Sequence, residues 1–145
     1  GSSVIEMVAA SPPQWEWRLR FHPASTRRSA WVEEAAGLVG ANVHFVDPAA
    51  ESIDQALLWS DVQLTQYSSA TLEASALGVP TVALDQLAVV LFPAQVAEGS
   101  CRLTDRVNWE ADITAIAGQG RAGGRVEGLA GLTGRTLERL LGVGL

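Results

Sequence analysis

An α/β fold built on a doubly wound parallel sheet is predicted by three features of the chain. Alternating apolar runs and helix-period runs follow one another along most of its 145 residues. The stretch from Ser60 to Asp85, SDVQLTQYSSATLEASALGVPTVALD, reads as strand, turn, helix, turn and strand, a complete βαβ unit. The apolar share is 48% and the mean hydropathy +0.16, a composition suited to a sheet covered on both faces.

Taken in order, Val4 to Ala10 reads as a helix stopped by Pro12 and Pro13. Trp17, Leu19 and Phe21 alternate with Arg18, Arg20 and His22, which predicts a strand with one apolar and one basic face, closed by His22-Pro23. Ser25 to Leu38 follows as a helix and Val43 to Val46 as a strand. A helix ending near Trp59 comes next, with Ile53, Ala56, Leu57 and Trp59 turned inward. In the βαβ unit, Val62 and Leu64 mark the first strand and Ala70, Ala74 and Leu77 the helix. Gly78 and Pro80 end that helix, and Thr81 to Leu84 is the second strand. Leu87 to Glu98 reads as helix interrupted at Pro93, Ser100 to Thr104 as a short strand, and Asn108 as the cap of a helix through Ala117. Thr133 to Leu141 reads as a last helix with Leu137, Leu140 and Leu141 as its stripe. About five strands are expected, and the first strand of the fold is expected to be missing, because the chain opens at a helix.

Composition narrows the function classes. A net charge of −6 argues against nonspecific nucleic-acid binding. All ten basic residues are arginines, which rules out Schiff-base chemistry through a lysine. Cys101 is the single cysteine, so neither an intrachain disulfide nor a cysteine metal cluster can form. No apolar run approaches the ~20 residues that span a bilayer. The opening Gly1-Ser2-Ser3 reads as a cloning scar.

The candidate site lies at the carboxyl ends of the strands, where such sheets bind ligands. Those ends carry His22, Asp47, Ser68 with Ser69, and Asp85. Hydroxyls at a helix start sit where a phosphate would be held, and Glu73, one turn on, is placed to accept from ribose hydroxyls. Equally, Ser68 caps the helix and Glu73 favours its first turn. An imidazole at His22 can donate to a phosphate oxygen, with Arg20 on the same strand face as reinforcement. Donors fixed there favour departure of a phosphate without a metal. His44, among apolar neighbours, reads as packing, and Arg27 and Arg28 as a solvated helix end. Gly118 to Gly123 spells GxGxxG, but it follows a helix and reads as linker.

The pairing of RFHP (Arg20 to Pro23) with SDVQLTQYSSATLEASALGVPTVAL (Ser60 to Leu84) resembles the donor-binding half of GT-B-type bacterial polysaccharide glycosyltransferases. The capsule sialyltransferases and polysialyltransferases, Kdo transferases and teichoic-acid glycerophosphotransferases are similar in pattern. The ATLEA…LGVP portion is also similar to lipid A disaccharide synthase and UDP-GlcNAc 2-epimerases. The resemblance covers Trp17 to Gly99 and implies a Rossmann-like, GT-B carboxyl-terminal domain. It implies that His22, Ser68 and Ser69 hold the phosphate of a CMP- or CDP-activated donor, with His22 catalytic, Arg20 beside it and Glu73 near the ribose. It implies no metal or other cofactor, a glycan acceptor bound through a missing amino-terminal domain, and a cytoplasmic location or one at the inner face of the membrane. Gln66 departs from the pattern, since several relatives carry an acidic residue there. Residues 1–117 are expected to form the donor domain, 118–131 a glycine-rich linker and 132–145 a terminal helix. Without the acceptor half, the chain is expected to bind a donor weakly or not at all, not to turn over, and to self-associate through an exposed sheet edge.

Overall fold

The computed structural model describes residues 2–21, 30, 32–33, 36–37, 40, 42–47, 49–118 and 136–141. Helix α1 spans Ser2–Ala10 and leads into β1, Glu16–Phe21; β2 is Val43–Val46, α2 Ile53–Trp59 and β3 Ser60–Thr65. Then come α3, Ala70–Ala76; β4, Thr81–Ala83; α4, Leu87–Leu91; α5, Pro93–Glu98; β5, Cys101–Leu103; and α6, Trp109–Ala117. The last element, β6, is Thr136–Leu141. The fold is α/β with parallel strands: β1 pairs with β2, and β3, β4 and β5 pair in turn. β6 joins the two groups, giving the order β2-β1-β6-β3-β4-β5.

β6 corrects two expectations. Its leucines are spaced as on a helix, yet the segment is a strand paired with β1 from Glu16↔Thr136 to Phe21↔Leu141 and with β3 through Leu64↔Arg139. Bonding a strand on both sides overrides a weak helical spacing. It also fills the central position expected to be vacant, so neither β1 nor β3 is an open edge; the outer strands are β2 and β5. Residues 119–135, which hold all but the first residue of the GxGxxG run and most of the expected linker, lie outside the described residues.

Alternation along the strands sorts side chains between two layers. Trp17 and Leu19 of β1, Val62 and Leu64 of β3 and Val82 of β4 face Ile5, Met7 and Val8 of α1 and Trp109, Ile113 and Ile116 of α6. Trp15, Trp17 and Trp109 meet there with ring centroids 6.1 to 6.3 Å apart. The Trp17 indole N–H donates 2.8 Å to the Ser11 hydroxyl, which satisfies a buried donor at the turn the two prolines create. On the opposite face Leu57, Ala74 and Val79 pack α2 against α3, and Ala83, Ala88, Phe92 and Cys101 anchor α4 and α5. Helices thus cover both faces.

Local signals explain the element ends. Ser52 and Gln55 form a reciprocal capping box at the start of α2. Gly78 adopts φ 76°, the left-handed conformation that lets the chain leave α3, and the Val79 amide bonds the Ala74 carbonyl at 2.8 Å. Two side chains sit differently from expectation. Trp59, at the exposed end of α2, is 48% accessible and lies over Arg18 rather than in the core. His44 is half exposed and pairs with Glu16 at 3.0 Å.

Candidate functional site

All strand pairings are parallel, so the turns after β1, β2, β3, β4 and β5 leave from one edge of the sheet. The chain steps from β1 outward to β2, then crosses to β3 and proceeds through β4 to β5 on the other side. That reversal makes the crevice over β6 a topological switch point. Register fixes how the two flanks meet: Arg20 pairs with Leu140, and Leu64 with Arg139, so Arg20 and Thr65 stand level across β6.

The double-serine turn sits on one flank. Ser68 is buried, and its hydroxyl accepts from the Ala70 amide at 3.2 Å. Ser69 holds the N-cap position of α3, is exposed and makes no capping bond with its side chain. The turn is pinned from beneath: Leu84 N–H donates to the Thr65 carbonyl at 2.9 Å and Asp85 N–H to the Gln66 carbonyl at 3.1 Å. Tyr67 packs on the cluster of Ala83, Ala88, Phe92 and Cys101. Glu73 is exposed in the first turn of α3. Both readings of Ser68 therefore keep a physical basis, since it caps α3, while Ser69 is the hydroxyl left open to a ligand.

On the other flank, His22 lies outside the described residues, directly after Phe21, the last residue of β1. Arg20 is only 6% accessible, and its Nη1 donates 2.6 Å to the Glu51 carbonyl. It ties down the loop between β2 and α2 instead of projecting from the edge. Arg18 pairs with the Glu51 carboxylate. Asp47 and Asp85 each accept a backbone N–H two residues on, from Ala49 at 2.9 Å and Leu87 at 2.8 Å, so both shape turns. Arg27 and Arg28 lie outside the described residues.

A feature that sequence reading missed lies beyond the serine turn on the same edge. A cleft of about 560 Å³ opens between Leu84 and Gln86 after β4, Leu103 to Asp105 at the end of β5, and Asn108 and Asp112 around the start of α6. A second hollow of about 500 Å³ shares Gln86 and Leu103 with it and runs along the exposed Leu87, Val89 and Val90 of α4. Asp105 accepts from the Val107 and Asn108 amides and from the Asn108 side chain, bonds that hold its carboxyl below the usual carboxylate range. Asp112 pairs with Arg102 at 2.9 Å and accepts the Thr104 hydroxyl at 2.5 Å. The Asp105-x-x-Asn108 spacing was the available signal; read alone, Asn108 suggested only a helix cap.

Among the described residues no group of three or more His, Cys, Asp or Glu side chains forms a metal-holding cluster, and no helix is long and apolar enough to cross a membrane. Comparison with protein-family models, with curated proteins and with solved structures finds no match for this chain.

Proposed function

We propose that this chain is the doubly wound, donor-nucleotide-binding half of a GT-B-type glycosyltransferase that builds a bacterial surface polysaccharide. The supporting observation is the level placement of β1 and β3 on either side of a topological switch, with the double-serine turn leaving one strand and His22 directly following the other. A CMP- or CDP-activated donor places its phosphate over that crevice, where Ser69 donates a hydroxyl, and Glu73 accepts from the ribose.

In the inverting transfer of a sugar, a glycan hydroxyl attacks the anomeric carbon as the bond to the phosphate oxygen breaks; with CDP-glycerol the hydroxyl attacks the β-phosphorus, and the bond from that phosphorus to the oxygen bridging it to CMP breaks. The nucleotide leaves with the electron pair, and donors already aimed at its phosphate stabilise the charge it gains. The acceptor's proton passes to a general base. The buried position of Arg20 gives it a supporting part, holding the loop between β2 and α2, rather than direct contact with the donor.

Titration of the chain with CMP, CDP and UDP, followed by amide NMR shifts, tests the reading. Shifts at Ser68, Ser69 and the residues after Phe21 with the cytidine nucleotides support it. Shifts with UDP alone favour a UDP-sugar enzyme of the epimerase kind. An absence of shifts with all three, in a chain extended to include the acceptor half, favours a noncatalytic interaction domain.

A further inference from the structure

The cleft after β4 and β5 carries a chemical signature of its own. We infer that it receives the uncharged, hydroxyl-rich part of the donor, a neutral sugar or polyol, and discriminates against acidic sugars; this rests on the donor-nucleotide reading above. The cleft adjoins the serine turn, because Leu84 and Asp85 are hydrogen-bonded to Thr65 and Gln66, and Leu84 and Gln86 form its near wall. A ligand whose phosphate lies at that turn and extends toward β5 enters it over the end of β4, the neighbouring strand.

The lining decides the ligand class. Among the described residues its charged members are Asp105 and Asp112, and no arginine or histidine lines it. Arg102, which offsets Asp112, stands outside the lining and is itself paired. Asp105 is held ionised by its backbone and side-chain donors, so the cleft keeps negative charge at neutral pH. A sugar carboxylate brought there meets the like charge of Asp105, which no arginine or histidine offsets among the described lining residues, Arg102 being engaged by Asp112. Hydroxyl groups suit it instead, since carboxylates and amides accept from them while Leu84, Leu103 and Ala111 cover carbon.

The orientation of Asn108 adds an acceptor. Its Nδ2 donates to both oxygens of Asp105, at 3.0 and 2.9 Å, so the amide oxygen points away from that carboxylate. The reverse flip would set oxygen against oxygen. Gln86 is exposed and makes no capping bond at the start of α4, which leaves its side chain available to a ligand without a structural duty there.

The test uses the chain extended to include the acceptor half and three probes: CMP, CDP-glycerol and CMP-N-acetylneuraminate. The expected result is that all three shift Ser68 and Ser69, that CDP-glycerol also shifts Gln86, Thr104 and Asn108, and that the acidic donor binds about tenfold more weakly or worse. Gln86→Ala should weaken CDP-glycerol about fivefold and leave CMP unchanged. Gln86→Arg should improve the acidic donor relative to CDP-glycerol. Equal or tighter binding of the acidic donor with shifts in the cleft overturns the inference. So do shifts confined to the serine turn for every probe, an outcome that leaves the nucleotide reading intact. No shift with any probe, CMP included, removes the nucleotide reading and this inference with it.

Discussion

The guanidinium carbon of Arg18 lies 4.6 Å from the centre of the Trp59 ring, and the same group pairs with the carboxylate of Glu51. An arginine on a strand covered by helices is thereby accommodated: charge is met on one side and the flat cation is covered on the other. Trp59→Ala should lower the unfolding free energy by about 1 kcal/mol. Arg18→Lys should recover little of the native value, because an ammonium lacks the planar face. Urea denaturation of the two variants checks both statements.

The two serines should separate cleanly. Ser68→Ala removes the hydroxyl that accepts from Ala70 N–H and should cost about 1 kcal/mol of stability. Ser69→Ala removes an exposed hydroxyl with no capping bond and should leave the thermal midpoint within about a degree of wild type. Thermal melts with and without CMP distinguish the residue that builds the turn from the one proposed to meet the ligand.

Thr71 offers a test of the interior beneath that turn. Its hydroxyl is buried and without a hydrogen-bond partner, as is that of Thr65 at the end of β3. Removing an unsatisfied buried hydroxyl while keeping the shape relieves a desolvation penalty, so Thr71→Val should stabilise the protein by about 1 kcal/mol. A loss of stability would show that the hydroxyl is bonded in solution.

Two groups give opposite pH behaviour. Burial raises the Cys101 thiol above its ordinary 9.0, so its contribution to stability is complete below that value and is lost as pH rises through the folded-state pKa. Cys101 should therefore resist thiol reagents at pH 8 until the protein opens. The hydrogen bonds to Asp105 lower its pKa from 3.8, so their contribution is present above that value and disappears as pH falls through the folded-state pKa. Hydrogen exchange at Val107 and Asn108, the amides bonded to Asp105, should accelerate in that acid range before exchange in the core does.

The local parts of the fold were legible because their signals are local. Pro12 and Pro13 stop α1 and Gly78 ends α3, each by backbone chemistry that a short window contains. β6 was not legible, since what makes Thr136–Leu141 a strand is the pair of neighbours it bonds, more than a hundred residues away in β1 on one side. Trp59 and His44 were misplaced for the same reason. Their partners, Arg18 and Glu16, are on a distant strand, and apolar neighbours in sequence gave no hint of them. The double-serine turn could be read as a site from one stretch, whereas the cleft of Gln86, Thr104 and Asn108 exists only once β4, β5 and α6 are packed together.

The central claim is that one phosphate is held between the turn after β1 and the turn after β3. A double-mutant cycle on CMP affinity in the chain extended to include the acceptor half, with His22→Ala, Ser69→Ala and the pair, measures it most directly. Each single change should weaken CMP about tenfold, and the pair should lose less than the product of the two, because both donors serve the same anion. Unchanged CMP affinity in Ser69→Ala, or two losses that multiply independently, would contradict a shared phosphate site.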